Sequence, residues 1–292
     1  MALFDSDFLK KLEYLSLVSR KVFQGQLLAQ RRTMRLGGGI EFADHREYTP
    51  GDDFRYLDWN VFARHGDLLL KRFQEEEDLH VYILIDGSRS MALGDPPKFD
   101  YARRVAAALA YIALADLDRV AISVIAGDVR ADFPLTRGKG RILGLLDFLE
   151  KQKPDGSLTD LGRAARVFTG RGGRGGLVIV ISDLFDPSGF AGGLDLIRHH
   201  GHELHVVQIY DRRDADPGFK GDVELHDIET DATELVTVTE RGLKQYQKVF
   251  AEFLESVKVY CAAHGVGGVR SSTEVPFDEL LLRMMRAAGA VA

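Results

Sequence analysis

The chain has 292 residues, 45% of them hydrophobic and 28% charged, with a formal net charge of -6. This supports one large folded domain or two modest ones, excludes global disorder, and argues against nucleic-acid binding driven by a basic surface. The single cysteine excludes an intrachain disulfide, and with no signal-like segment the expected compartment is the reducing cytoplasm.

Phe8 to Phe23 has the spacing of an amphipathic helix, followed by the basic run Gln30–Arg35 and Gly37 to Gly39, which show no clear period. Between Glu41 and Arg72 charged and aromatic residues interleave, a mixture that calls for ion pairs against an aromatic surface. From residue 79 strand-like runs alternate with helical patterns, the signature of an α/β fold. The fold class expected is a mainly parallel sheet with helices on both faces. Residues 1–78 are expected as a distinct N-terminal extension and 79–292 as the sheet domain, with one continuous unit as the alternative.

Leu79 to Ile85 reads as a buried strand, and residues 100–116 as a helix. The most membrane-like stretch, Val105 to Ala115, is too short to span a bilayer and is flanked by Arg103, Arg104 and Asp116, so it reads as a buried helix and no integral membrane segment is expected. Val120 to Ala126 and Val129 to Leu135 flank Gly127-Asp128, a hairpin turn. Ile142 to Glu150 and Leu161 to Phe168 read as helices, Leu177 to Ser182 as a fully buried strand, Gly192 to His200 as a helix capped by Gly201, and Leu204 to Tyr210 as a strand. Val223 to Ile228 and Leu235 to Thr239 read as short strands of an edge hairpin. Gly242 to His264 repeats apolar residues at helical spacing, from Leu243, Tyr246 and Val249 to Tyr260 and Cys261, and is expected to pack that stripe on the sheet. Phe277 to Ala288 closes the chain as a helix.

Asp86, Ser88 and Ser90, in Asp-x-Ser-x-Ser, join the first buried strand to a loop of oxygen ligands. Ligands gather outside the carboxyl ends of strands in open parallel sheets. One carboxylate and two hydroxyls at alternate positions suit a small, hard divalent cation that keeps some of its waters, so Mg2+ is the expected ion and Mn2+ its substitute. Further ligands must come from other loops at the same edge: Asp183 closes the strand Leu177 to Ser182, and Thr159 precedes a helix. Each has an ordinary structural reading as well, with Ser90 capping a loop, Thr159 as a helix N-cap and Asp183 as a strand end.

The set Asp86, Ser88, Ser90, Thr159 and Asp183 resembles the metal-ion-dependent adhesion site of von Willebrand factor A domains, taken in order. The resemblance implies serines and threonine at or near the magnesium, aspartates acting through water, and a partner's acidic group completing the shell. The chain departs from that pattern at Leu184, where many such domains have glycine, and Ser157 could stand in for Thr159. Upstream, Gly39-Ile-Glu-Phe-Ala-Asp-His-Arg-Glu-Tyr-Thr-Pro-Gly-Asp-Asp-Phe-Arg-Tyr-Leu-Asp-Trp-Asn-Val-Phe-Ala-Arg64, then Lys71-Arg-Phe-Gln-Glu, is similar to the bacterial domain of unknown function 58 family. Members of that family are typically encoded beside MoxR-type AAA+ ATPases, so the resemblance implies an adaptor or chaperone-like partner of such an ATPase. The family motif within the block comprises Arg46, Glu47, Tyr48, Gly51, Asp52, Asp53, Arg55, Asp58, Trp59 and Arg64, whose role the resemblance does not assign; Arg46, Asp52, Asp53, Arg55 and Asp58 are expected to form a structural ion-pair network fixing the N-terminal segment to the domain.

Other signals carry less. Gly170-Arg-Gly-Gly-Arg-Gly175 fits a dinucleotide fingerprint but precedes a strand instead of following one, and it reads as a surface loop. His199, His200, His202 and His205 are split between a helix end and a strand. Cys261 lies on an apolar stripe as a small core residue. An enzyme alternative is a magnesium-dependent phosphatase or phosphotransferase with Asp86 as nucleophile, yet Ser88 stands where such enzymes carry the acid for the leaving group. A third reading is a metal-free interaction scaffold.

Overall fold

The computed structural model describes residues 3–23, 32–36, 41–76, 79–154, 159–227 and 232–290. Phe8, Leu12 and Leu15 recur at helical spacing along α1 (Ser6–Phe23) and are almost completely buried. Each such side chain contributes about 1.5–3 kcal/mol when fully buried, so α1 is anchored by its apolar side. β1 (Arg32–Leu36), β2 (Glu41–Glu47) and β3 (Leu69–Glu76) make a small antiparallel sheet in the order β1-β3-β2, and α2 (Trp59–His65) lies in the connection between β2 and β3.

The main architecture follows. In chain order it comprises β4 (His80–Asp86), α3 (Lys98–Ala115), β5 (Arg119–Ile125), β6 (Val129–Arg137), α4 (Ile142–Lys151), α5 (Leu161–Gly170), β7 (Leu177–Ser182), α6 (Ala191–His199), β8 (Glu203–Tyr210), the single-turn α7 (Arg212–Ala215), β9 (Gly221–His226), β10 (Thr233–Val238), α8 (Glu240–Ala263), β11 (Gly267–Ser272) and α9 (Phe277–Ala290). Six strands form one sheet in the order β11-β8-β7-β4-β5-β6. Neighbours are parallel except β5 and β6, the hairpin pair. β6 is an edge strand, which is why Pro134 can sit in it.

The central strands are buried on both faces, so they carry unbroken apolar runs instead of alternation. One face packs on α1, α3, α4 and α9; the other packs on α5, α6 and α8. Small residues let α3 lie close to the sheet, with Ala102, Ala106, Ala107 and Ala110 fully buried. Arg103 of α3 donates to the carbonyls of Leu149, Glu150 and Gln152 at 2.9–3.1 Å, satisfying groups that the C-terminus of α4 leaves open. α1 packs on α3 and α9, where the Phe8 and Phe277 rings meet at 4.9 Å and Lys11 reaches Asp278 at 3.3 Å.

The β2–β3 ladder is antiparallel, with a register shift between Phe42 and Asp44. Two local expectations are corrected. β9 and β10 form their own two-stranded sheet and are not an edge of the main one; the real edge opposite β6 is β11, whose residues Gly267-Gly-Val-Arg-Ser-Ser272 have no apolar run. Finally, the apolar stripe of α8 is only partly covered: Phe250, Val257, Tyr260 and Cys261 are buried, whereas Tyr246 and Val249 are 44% and 56% exposed. The 24-residue α8 is about 36 Å long, against about 20 Å for the 6-residue β11 on which it packs, so its first turns overhang the sheet.

Candidate functional site

The register pairs Ile85 with Ile181, so β4 and β7 leave the sheet side by side at Asp86 and Ser182. From β4 the chain moves to β5 on one side, while β7 leads to β8 and β11 on the other. The crevice between β4 and β7 is therefore the point where strand order reverses, the place where open α/β sheets gather ligands. Asp86, Ser88, Ser90, Thr159 and Asp183 are all buried, with exposures of 2%, 0%, 8%, 6% and 1%.

Local geometry sets the loop. Asp86 Oδ1 accepts the Ser88 N–H at 2.9 Å, and Oδ2 accepts the Ser182 hydroxyl at 2.5 Å. The same hydroxyl accepts the Leu184 N–H at 2.8 Å. The Gly87 N–H donates to the Ile125 carbonyl at 2.7 Å, and a Cβ at this position would lie 2.7 Å from Val124 Cγ1, so the turn out of β4 has no room for a side chain. Ser88 Oγ and Ser90 Oγ share a hydrogen bond of 3.1 Å.

Thr159 is not the N-cap of α5. Asp160 is, accepting the Arg163 N–H at 2.7 Å. The next residue, Leu161, donates its N–H to Asp186 at 2.7 Å, tying the start of α5 to the loop that carries Asp183. Ser157 lies outside the described residues. Leu184 adopts φ 63°, the left-handed region that glycine enters freely, at a cost of roughly 1–2 kcal/mol for a residue with a Cβ. Its burial at 1% exposure within the second core offsets that cost.

The sequence reading missed Lys98 and Asp214. Lys98 is 1% exposed, and its ammonium meets Asp183 Oδ2 at 2.8 Å and Asp214 Oδ2 at 3.0 Å, 5.2 Å from the centre of the Phe185 ring. Asp183 Oδ1 accepts the Phe185 N–H at 3.1 Å. Burial works against the Lys98 ammonium, but the charges of Asp183 and Asp214 outweigh it and hold its pKa above the usual lysine range. Among the described residues no cation pairs with Asp86. Burial, reinforced by the charge of Asp183, pushes its carboxyl up to about 6 despite the Ser182 and Ser88 hydrogen bonds.

These residues fit a small divalent cation. In an octahedral magnesium shell with bonds of about 2.1 Å, adjacent oxygens lie about 3.0 Å apart, close to the 3.1 Å between the two serine hydroxyls. Two buried carboxylates stand on the neighbouring strand ends, and each of their oxygens keeps a lone pair beyond the contacts described. Among the described residues no group of three or more His, Cys, Asp or Glu side chains is placed to hold a metal; a site built on hydroxyls is of another kind. His200 Nδ1 pairs with the Leu196 carbonyl at 2.8 Å, and His202 packs edge-on against Tyr82. Burial raises the pKa of the Cys261 thiol, consistent with a core residue.

The charged N-terminal block is paired within itself. Arg46 binds Asp52 at 2.8 Å and Thr49 at 2.8 Å, Arg55 binds Asp53 at 2.6 Å, and Asp58 takes His45 at 3.0 Å and Lys71 at 3.5 Å. These pairs knit β2, α2 and β3 together instead of reaching across to the main sheet. Glu47 ends β2 opposite Leu69, and Gly51 sits in the turn closed by Thr49 and Asp52. Tyr48 stacks on Phe54 at 5.3 Å, Trp59 meets Phe62 edge-on and is 59% exposed, and Arg64 lies in the last turn of α2. Asp58 also caps α2 through the N–H groups of Asn60 and Val61, and the His45 contact leads the interactions that lower its pKa to about 2. Its contribution is thus present above pH 4 and lost as pH falls toward 2. Asp58→Ala should speed amide exchange across residues 58–71 at pH 7 and leave β4 and β7 protected; unchanged exchange in α2 would show that the cap holds nothing.

The fold and this crevice define an α/β protein with buried carboxylates and hydroxyls at the switch point of a mainly parallel sheet. The chain belongs to the family described as Protein of unknown function DUF58, which it matches over residues 44–253. It is 27% identical over 223 residues to Uncharacterized protein Rv1480 of Mycobacterium tuberculosis and to Uncharacterized protein Mb1516 of Mycobacterium bovis, covering 75% of this chain and 70% of each relative. Among solved structures it is similar to the conserved hypothetical protein BatB from Bacteroides thetaiotaomicron, at 19% identity and a TM-score of 0.44 over 73% of this chain and 100% of that one. An aerotolerance-related membrane protein from Bacteroides fragilis gives 20% identity and a TM-score of 0.45 over 72% and 99%. No helix among the described residues is long and apolar enough to cross a membrane.

Proposed function

We propose that this protein is a non-catalytic, magnesium-dependent protein-binding module, working in the cytoplasm as an adaptor or chaperone-like partner of a MoxR-type AAA+ ATPase. The observation that carries the metal part is the pair of serine hydroxyls 3.1 Å apart beside two buried carboxylates on adjacent strand ends. The likeness of Asp86, Ser88, Ser90, Thr159 and Asp183 to a metal-ion-dependent adhesion site supports it, and the DUF58 membership supports the ATPase as partner. Ser88 and Ser90 would hold the ion directly, Thr159 would close the shell, and Asp86 and Asp183 would supply the negative charge. A bound magnesium supplies an open coordination position for an acidic group. Hydroxyl ligands add no charge, so two carboxylates only just balance the dication and leave it attractive to a partner's Asp or Glu.

Calorimetric titration of Mg2+ and Mn2+ into chelator-stripped protein tests this reading. Saturable binding is expected in the wild type and a loss of at least about tenfold in a folded Ser88→Ala, Ser90→Ala double variant, the scale already reached when only an outer-shell partner of a metal site is removed. Equal binding by both proteins would move the ion elsewhere; absence of binding in the wild type would leave the free protein without the metal role.

A further inference from the structure

We infer that Lys98 is a built-in competitor for Asp183 at the metal site, holding that carboxylate when the ion is absent and weakening the ion's affinity when it arrives. The inference rests on the metal reading given above.

Lys98 begins α3, and its side chain runs inward to the segments that follow β7 and β8 instead of out to water, with 1% of it exposed. A buried ammonium is costly unless paired. Here two carboxylates pair it, at 2.8 Å and 3.0 Å, and the Phe185 ring lies beside it. Asp214 is itself fixed: its Oδ2 accepts the Asp211 N–H at 2.9 Å in a capping box over α7, and its own carbonyl accepts the Tyr246 hydroxyl at 2.7 Å from the overhanging start of α8. The lysine is therefore tied from one side by a framework that has no part in the proposed ion shell, and from the other by a carboxylate that has. Asp86, Asp183 and Asp214 bring three negative charges and Lys98 one positive, leaving two for a divalent ion. An ion drawing on Asp183 shares that carboxylate with an ammonium already 2.8 Å away, and two cations on one carboxylate repel.

The test uses Lys98→Met, which keeps the length and removes the charge, and Lys98→Met with Asp214→Asn, which restores the local charge balance and relieves the unpaired carboxylate. Manganese and magnesium affinities are read by calorimetry, together with the rise in melting temperature on adding magnesium to chelator-stripped protein. Both variants should bind at least about tenfold more tightly than the wild type, by the Coulomb term that is removed, and gain more thermal stability from the ion. Tightening in the single variant alone would overturn competition for Asp183 and leave only a net-charge effect. Wild-type binding with no tightening in either variant would overturn the inference while leaving the metal reading in place. No binding in any of the three proteins would overturn the metal reading, and this inference with it. Should neither variant fold, the 15N resonance of the buried wild-type ammonium decides: it should move on magnesium saturation, and an unmoved resonance would overturn the proposal.

Discussion

Asp86→Asn is expected to melt higher than the wild type above pH 7 in the presence of a chelator, and the proposed metal site predicts that the order reverses in saturating magnesium. The folded protein keeps the Asp86 proton up to about pH 6, held there by burial and by the charge of Asp183, whereas an unfolded aspartate gives it up near 3.8. The native state therefore binds more protons between these values, and stability falls as pH rises through that window. The full difference amounts to about 3 kcal/mol at most. Asparagine removes the penalty but loses the charge-assisted bond from the Ser182 hydroxyl, worth about 1.5 kcal/mol or more. A net gain of about 1 kcal/mol remains, a shift of roughly 2–4 °C for a chain of this size. Below pH 4 both proteins are neutral at this position and the gain disappears. On the proposed metal reading, magnesium would restore the wild type by binding the folded state alone, and the variant would lack the charge to respond. Thermal unfolding at pH 4, 6 and 8, with chelator or magnesium, checks both halves. A variant that melts below the wild type at pH 8 in chelator would show that Asp86 is stabilised as a charge by the protein itself.

Gly176→Ala should cost about 3 kcal/mol or more, enough to threaten folding of a marginally stable domain. Gly176 leads into β7 with strands on both sides, and its carbonyl accepts the Glu203 N–H at 3.0 Å. A Cβ there would sit 2.2 Å from the His80 carbonyl oxygen. The obstacle is backbone, so relief requires moving β4 or β7 apart at the register Val81 to Leu177, which sets the spacing of Asp86 and Asp183 further along. Gly170→Ala is the control: nothing lies within 4 Å of its Cβ position at the end of α5, and alanine in a helix is favoured by about 1 kcal/mol over glycine. Chemical denaturation separates the two, with the midpoint falling sharply for position 176 and holding or rising for position 170. Equal midpoints would show that the sheet yields at this edge.

The sequence by itself determined the class of fold, because the evidence for it is local. Val81 to Ile85 and Leu177 to Ile181 are apolar without interruption, as a strand covered on both faces requires, and Gly127-Asp128 marks the β5–β6 hairpin within a few residues. The polar residues that end two of those strands, Asp86 and Asp183, were legible for the same reason: a carboxylate after a buried run stands at a sheet edge. What depended on partners distant in the chain was not legible. β11 pairs through its backbone at the edge of the sheet and needs no apolar run, and Arg46 of β2 and Lys71 of β3 pair with Asp52 and Asp58 in the connection between those strands. The reach of α8 past the sheet followed from its 24 residues against the 6 of β11, so its stripe predicted contacts that Tyr246 and Val249 do not make. Above all, the ammonium of Lys98 finds Asp183 and Asp214 across 85 and 116 residues of chain. Spacing along a sequence reports the neighbours a helix or strand brings together; only tertiary packing decides which buried charge receives a counter-ion, as Lys98 does from Asp183 and Asp214.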